Sequence, residues 1–393
     1  MTMAGRVTAA SRSYWLERDL HPGAWWLWAL GLAAAASRTT NPALLLMLLG
    51  VACTVVLARR GNAPWAHAFR LYLWLALVIV VLRVAFRLVF GGGEGETVLL
   101  SSPGIPLPSW AAGVSLFGPV SAEALLGGLY DGLRLATMVV CIGAANALAN
   151  PKRMLKAMPG ALYETGTVVV VAMSVFPQLA ESVLRVRAAR RLRGDTGAGL
   201  RALRAVVVPV LEDALERSLR LAAAMDSRGY GRSGEASAAG RRVTGVLTIG
   251  GLLGVCVGIY ATLDGSSPRY LAAPLLAAGV AAAVTGFILS GRRVRCTRYR
   301  PDRWRTAEMI AAGSGLATGV LMWASTGMDP LGLNPSLSVL AWPTVPLLPA
   351  IGVLIGAIPA VLTPHPALEV DGQESAVPSS TARAVTGRQQ AVG

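Results

Sequence analysis

Apolar runs of about membrane-spanning length, roughly twenty residues, recur along this chain and constrain its fold more than any other feature. Lipid offers no hydrogen-bonding partner, so a spanning segment must satisfy its backbone N–H and C=O groups internally. For runs of this length that means an α-helix. Eight segments read as spans: Trp25–Ala36, Pro42–Ala58, Leu71–Phe90, Val120–Ala149, Val243–Leu263, Tyr270–Ser290, Thr306–Thr326 and Val339–Leu362. Only 15% of the residues are charged, against about 25% in soluble domains. The expected fold class is all-α, a polytopic membrane protein of about eight transmembrane helices with a cytoplasmic region of amphipathic helices.

The net charge of +15 comes almost wholly from arginine. In a membrane protein that pattern marks cytoplasmic loops and implies no nucleic-acid partner. Pro151, Lys152, Arg153 and Lys156 mark one inside loop, and Arg292–Arg305 another. Gly91–Phe117 holds Glu94 and Glu96 but no Lys or Arg, and with Gly327–Ser338 it reads as outside. These sides require that Thr165–Phe176 does not cross, so it is expected at the interface or packed against the spans. Both termini are then cytoplasmic. Trp25, Trp26 and Trp28 beside Pro22 suit an interfacial anchor. Met1–Gly23 is polar without a cleavage site, so no secretory leader is expected. The expected organisation is an N-terminal cytoplasmic segment (1–24), N-terminal transmembrane helices (25–160), an interfacial helix plus cytoplasmic helices (161–242), C-terminal transmembrane helices (243–362) and a disordered tail (363–393).

One stretch departs from the apolar pattern. Ala180–Arg232 is polar and dense in arginine. Pro177 suits the first turn of a helix running to about Arg193, with Leu179, Val183, Val186 and Ala189 or Arg190 along one face. A second helix runs from about Pro209 to Arg228, either alone or continuing Leu200–Val208 across a proline kink. Its apolar stripe is Leu211, Ala214, Leu215, Ser218, Leu219, Ala222 and Met225. Glu181–Arg185, Asp213–Arg217 and Glu216–Arg220 are spaced by four, as ion pairs along a helix are. Both helices end in Arg followed by Gly, at Arg193–Gly194 and Arg228–Gly229. Glycine stops a helix because it takes the left-handed conformation without steric cost, and the helix dipole favours an arginine at that end. Two such tips suit either lipid phosphates or a protein groove lined with carboxylates.

Arg83, Arg87, Glu123, Asp131 and Arg134 fall within spans, where ionisable residues are functional candidates. Arg87 and Glu123 lie at similar depth on successive antiparallel spans, as do Arg83 and Asp131, while Asp131 and Arg134 can pair within one helix. They read as structural ion pairs between helices, or as a proton or ion path. Cys53, Cys141, Cys256 and Cys296 are scattered, and His21, His67 and His365 lie far apart, so no metal site or catalytic triad is expected. With no GxxxxGK[ST], HExxH or GxSxG motif, the chain reads as a non-enzyme without cofactor. A standalone carrier would show an internal repeat or broken helices. It remains the alternative, with the arginine loop on anionic lipid.

The arginine stretch resembles the transmembrane (T) component of energy-coupling factor transporters, the EcfT/CbiQ family of ABC importers for vitamins and for nickel or cobalt. That family carries two coupling helices, each ending in a small residue, Arg and a small residue. Ser227-Arg228-Gly229 fits this motif. The first copy reads Leu192-Arg193-Gly194, with Leu in the small position, and Ala189-Arg190-Arg191 is the alternative register. Asn150-Pro151 and Phe176-Pro177 are similar to the family's approach to the coupling region, and the likeness covers roughly residues 15–233. The resemblance implies a multi-pass subunit of the bacterial inner membrane. Arg193 and Arg228 would each enter one of two ABC ATPase subunits, and the motion would pass to a small substrate-binding membrane protein, the S component.

Overall fold

The computed structural model describes residues 17–62, 67–90, 97–100, 105–106, 115–116, 118–157, 160–194, 199–229, 238–263, 269–293, 302, 304–336 and 342–366. Of the tail expected to be disordered, 363–393, residues 367–393 lie outside these, while Thr363 is buried and donates to the Pro359 carbonyl. The long helices are α1 (Pro22–Ser37), α2 (Pro42–Arg59), α3 (Phe69–Phe90) and α4 (Ala122–Leu148), then a short α5 (Pro151–Lys156). They continue as α6 (Tyr163–Leu192), α7 (Leu200–Ser227), α8 (Ala238–Leu263), α9 (Arg269–Arg293) and α10 (Thr306–Met328). Three short helices follow: α11 (Pro330–Leu333), α12 (Leu347–Ile355) and α13 (Pro359–Leu362). Among the described residues, α2, α3, α4, Thr165–Leu192 of α6, Arg242–Leu263 of α8, Tyr270–Arg292 of α9, and α10 are long and apolar enough to cross a membrane, seven in all. The protein is an all-α, polytopic membrane protein.

Three local expectations need correction. Thr165–Phe176 is not a separate interfacial segment: it runs through Pro177 into the arginine region as the single 30-residue helix α6. A proline removes one backbone hydrogen bond, which a long helix in a membrane protein tolerates. The C-terminal span Val339–Leu362 is broken: α12 ends at a turn over Gly356–Ile358, and Pro359 starts α13. The 91–117 region is not loop throughout. Within it β2 (Ile105–Pro106) pairs antiparallel with β3 (Ser115–Leu116), and β1 (Val98–Leu100) pairs antiparallel with β4 (Val120–Ser121) just beyond it. Of the C-terminal segments, α8 and α9 belong to one compact unit and α10 to α13 to another.

The first unit comprises Met1–Met154 and Asp302–Gly393. Helix α1 packs against α4 and α10, α2 against α4 and α12, and α3 against α4. The core is built from Trp28, Leu32, Leu44, Leu45 and Leu48 of the N-terminal helices with Val140 of α4 and Met322 of α10, all fully buried. Helices α1 and α10 touch backbone to backbone. A Cβ added at Gly31 would sit 2.1 Å from the Gly315 carbonyl oxygen, and one at Gly315 would sit 2.3 Å from the Trp28 Cα.

Polar side chains fasten the C-terminal elements to this core. Trp28 Nε1 donates to the Gly356 carbonyl at 2.9 Å, satisfying the backbone where the last apolar segment breaks. Arg59 donates from Nε to the Pro359 carbonyl at 3.2 Å and from Nη2 to the Ala360 carbonyl at 2.7 Å. Asn41 caps α2 by accepting from the Ala43 N–H, and its Nδ2 donates to the Gly332 and Thr344 carbonyls, each at 2.8 Å. Asn41→Ala is therefore expected to cost about 2–4 kcal/mol, a lost cap plus two carbonyls short of a donor. A lower heat-denaturation midpoint of the detergent-solubilised chain would show it. An unchanged midpoint would deny Asn41 this role.

The second unit, Leu155–Pro301, holds α6 to α9. Helices α8 and α9 form a hairpin in which a Cβ at Gly254 would lie 3.1 Å from the Gly279 Cα, close packing of the kind small residues permit in membranes. Their outer faces, with Val246, Ile249, Leu253, Tyr260 and Leu271, are exposed. Helices α6 and α7 carry the arginines.

Candidate functional site

The two arginine tips are built alike. Helix α6 ends at Leu192 with Arg193 as its C-cap (φ −87°, ψ 5°), and Gly194 follows at φ +74°. Helix α7 ends at Ser227 with Arg228 as its C-cap (φ −91°, ψ 2°), and Gly229 follows at φ +75°. The Gly194 N–H donates to the Arg191 carbonyl at 3.0 Å, and the Gly229 N–H to the Asp226 carbonyl at 2.9 Å. Any side chain at either glycine would force a left-handed backbone that L-residues avoid. Each arginine thus stands on the last turn of its helix, where the carbonyl ends favour a cation, and both are exposed. Ser227 donates from Oγ to the Ala224 carbonyl at 2.9 Å, within its own helix. Arg190 lies inside α6 and is half-buried, so Arg193 holds the position equivalent to Arg228.

Of the two helices, only α7 differs from the sequence reading in the face it covers. On α6, Leu179, Val183, Val186 and Arg190 are half-buried, as the spacing suggested. On α7, Pro209 lies inside one helix from Leu200, the continuous alternative. Its covered face is Val206 and Val210, both buried, with Asp213 and Arg217 half-buried beyond them. The leucine stripe faces outward instead: Leu211, Leu215 and Leu219 are each about 60% exposed. No other part of the described chain covers it.

The spaced-by-four pairs form. Asp213 meets Arg217 at 2.9 Å, Glu181 meets Arg185 at 3.9 Å, and Glu216 meets Arg220. Sequence spacing missed the contact between the helices. Ser182 of α6 donates from Oγ to Asp213 Oδ2 at 2.8 Å, and Arg185 Nη2 lies 3.6 Å from the same oxygen. The Ser182 hydrogen bond, then the Arg217 and Arg185 guanidiniums, hold the Asp213 carboxyl below its ordinary range.

The five charges of the spans do not pair with one another. Arg83 lies beside Gly132 of α4, next to Asp131, but Arg87 lies beside Gly128, five residues from Glu123, and both set their aliphatic stems against the glycines. The carboxylates turn elsewhere. Glu123 accepts from the Thr97 N–H at 3.2 Å and from its hydroxyl, joining β1 to the start of α4. Arg134 donates to the Ser37 carbonyl at the end of α1, and Asp131 is half-buried on α4. Packing of the stems and backbone capping, not ion pairing, accounts for the placement of Arg83, Arg87, Glu123 and Arg134. Among the described residues no cluster of three or more His, Cys, Asp or Glu forms a metal cage.

A comparison with curated proteins finds no match. The family model for CbiQ, described as cobalt transport protein, matches residues 15–237, which include both arginine tips and more than half of the chain. The chain therefore belongs to the CbiQ family of cobalt transport proteins, and is a multi-pass membrane component of a transporter.

Proposed function

We propose that this chain is the transmembrane scaffold of an ECF-type ABC importer for a vitamin or a transition metal. In it Arg193 and Arg228 each dock into one of two ATPase subunits. The observation that carries the reading is the matched pair of exposed arginine C-caps, each set on its helix by a left-handed glycine. A guanidinium held this way offers a rigid fork to a carboxylate, whereas lipid phosphates ask only for loose positive charge. The uncovered Leu211, Leu215 and Leu219, on the helix that carries the second tip, add an apolar face for a partner. ATP-driven closure of the ATPases draws the tips together, and the motion passes through the membrane helices to a substrate-binding S component.

This reading puts both termini and the tips on the cytoplasmic side of a bacterial plasma membrane, following the basic segments at 151–156 and 292–305. Arg193 lies 17 residues beyond Phe176 on one helix, about 25 Å at 1.5 Å per residue. That reach carries the guanidinium well clear of the apolar half of α6.

Affinity capture of the full chain from native membranes tests the assignment. Wild type is expected to bring down two ABC-type ATPases and a small membrane protein. Removing a buried interfacial arginine costs about 2–5 kcal/mol, so Arg228→Ala should lose at least one ATPase. Capture without any ATPase, together with salt-sensitive binding to anionic vesicles, would favour the standalone carrier.

A further inference from the structure

The contact between α6 and α7 is narrow. Among the described side chains of the two helices, only Ser182, Val206 and Val210 are buried. Val206 and Val210 precede Asp213 by seven and three residues, on one face of α7. At the end of this apolar patch one carboxylate gathers a hydroxyl and two guanidiniums. Ser182 and Arg185 come from α6 and Arg217 from α7 itself. Beyond Arg185 and Arg217 no side chain of either helix is buried: Val186 and Arg190 of α6 and Met225 of α7 are half-buried, and the rest are exposed. Arg193 is 11 residues past Ser182, and Arg228 is 15 residues past Asp213. At 1.5 Å per residue these are arms of about 16 and 22 Å.

From this geometry we propose that Asp213 is a positioning residue, a pin that joins the two arginine-tipped helices at one point and so sets the spacing of their tips. A contact this small cannot lock two arms of that length by apolar packing. A carboxylate held by one hydrogen bond from each helix and by the Arg185 ion pair at 3.6 Å fixes the crossing point, and with it the distance between the arms. The structural part of the proposal stands on the contact alone, and its functional part rests on the ATPase-docking reading. Two sites at fixed spacing turn the second docking event into an intramolecular one, with a gain in avidity that disappears when the spacing is lost.

Two measurements test it. In the full-length chain with its native cysteines replaced, spin labels at Leu192→Cys and Ala224→Cys report the distance between the arms by double electron–electron resonance. The wild-type background is expected to give one narrow distribution. Asp213→Ala should broaden it at least about twofold, and Asp213→Asn, which still accepts from Ser182, should fall between. An Asp213→Ala distribution as narrow as wild type overturns the proposal. The second measurement is binding of the unlabelled chain to the captured ATPase, as single subunits and as the nucleotide-closed dimer. Asp213→Ala should leave single-subunit binding within twofold of wild type and weaken dimer binding about tenfold or more. Equal weakening of both would show a general folding defect and reject the positioning role. If the wild-type chain binds no ATPase in either form, the docking reading fails, while the resonance distances still decide whether Asp213 is the pin.

Discussion

Gly315→Leu is expected to leave almost no folded protein in the membrane. Helices α1 and α10 approach so closely at this point that a Cβ on residue 315 would lie 2.3 Å from the Trp28 Cα and 2.4 Å from its carbonyl oxygen. Both obstacles are backbone, so no side-chain rotation relieves the clash and the helices must separate. Separation breaks more than one contact. Trp28 Nε1 loses the Gly356 carbonyl, and Thr318, one turn further on α10, is drawn away from the Gly352 carbonyl it reaches at 2.8 Å. Overpacking a dense core costs about 1–3 kcal/mol, and forced backbone displacement more. Gly313 supplies the control, because a Cβ there meets nothing within 4 Å. Fluorescence-detected gel filtration of detergent extracts should show a monodisperse peak for wild type and Gly313→Leu. The peak should be lost for Gly315→Leu, and a normal Gly315→Leu profile would mean the two helices do not cross there.

The second large effect concerns Arg18 and Glu308. The guanidinium holds the carboxylate through two bonds, 2.8 Å from Nη1 and 3.2 Å from Nη2. The Glu308 side chain is only 2% exposed and also accepts from the Arg305 N–H at 3.1 Å, at the start of α10. Arg18→Ala leaves that carboxylate buried without its counter-charge, a loss of about 3–5 kcal/mol for pairs of this kind. Replacing both partners by leucine removes the uncompensated charge and is expected to recover most of the loss. Thermal unfolding midpoints of the two variants, measured side by side in detergent, separate a charge effect from simple loss of packing. A single variant as stable as wild type would show that the pair contributes nothing.

What could be read from the sequence was what local chemistry decides. An arginine before a glycine at the end of an amphipathic pattern stops a helix wherever it occurs, so both tips were legible, as were the ion pairs spaced by four. The long apolar helices were legible for the same reason. One proline misled. Pro177 looks like a helix start, yet it lies inside a continuous helix, as do Pro209, where continuation was one of the two readings, and Pro274 of α9. One missing N–H does not outweigh the remaining turns.

Tertiary choices left little trace. The α7 leucines looked like a buried stripe because periodicity gives a face without saying which side of a helix meets a neighbour. Asp213 was matched to Arg217, four residues away, and nothing in the spacing pointed to Ser182 or Arg185. Arg83 lies level with Asp131, but Arg87 sits five residues deeper along α4 than Glu123, which has a nearer partner in Thr97. The attachment of the last helices to the first depends on single side chains, Trp28, Asn41 and Arg59, that a hydropathy pattern cannot distinguish from their neighbours.

That attachment has a consequence for biosynthesis. The partners of Arg18, Trp28, Asn41 and Arg59 lie 290, 328, 291 and 300 residues further along the chain. At about 5–20 residues per second a ribosome needs roughly 15–65 s to cover such gaps. During that interval the first two helices are already inserted while Asn41 and Arg59 lack the carbonyls they will later hold. A buried arginine is costly in lipid, so Arg59, at the end of α2, must keep its charge near the headgroups until the final segment arrives. The N-terminal bundle therefore closes only once the segment through Ala360 has been made, and a chain truncated before Thr306 should be a substrate for membrane quality control, however complete its arginine tips.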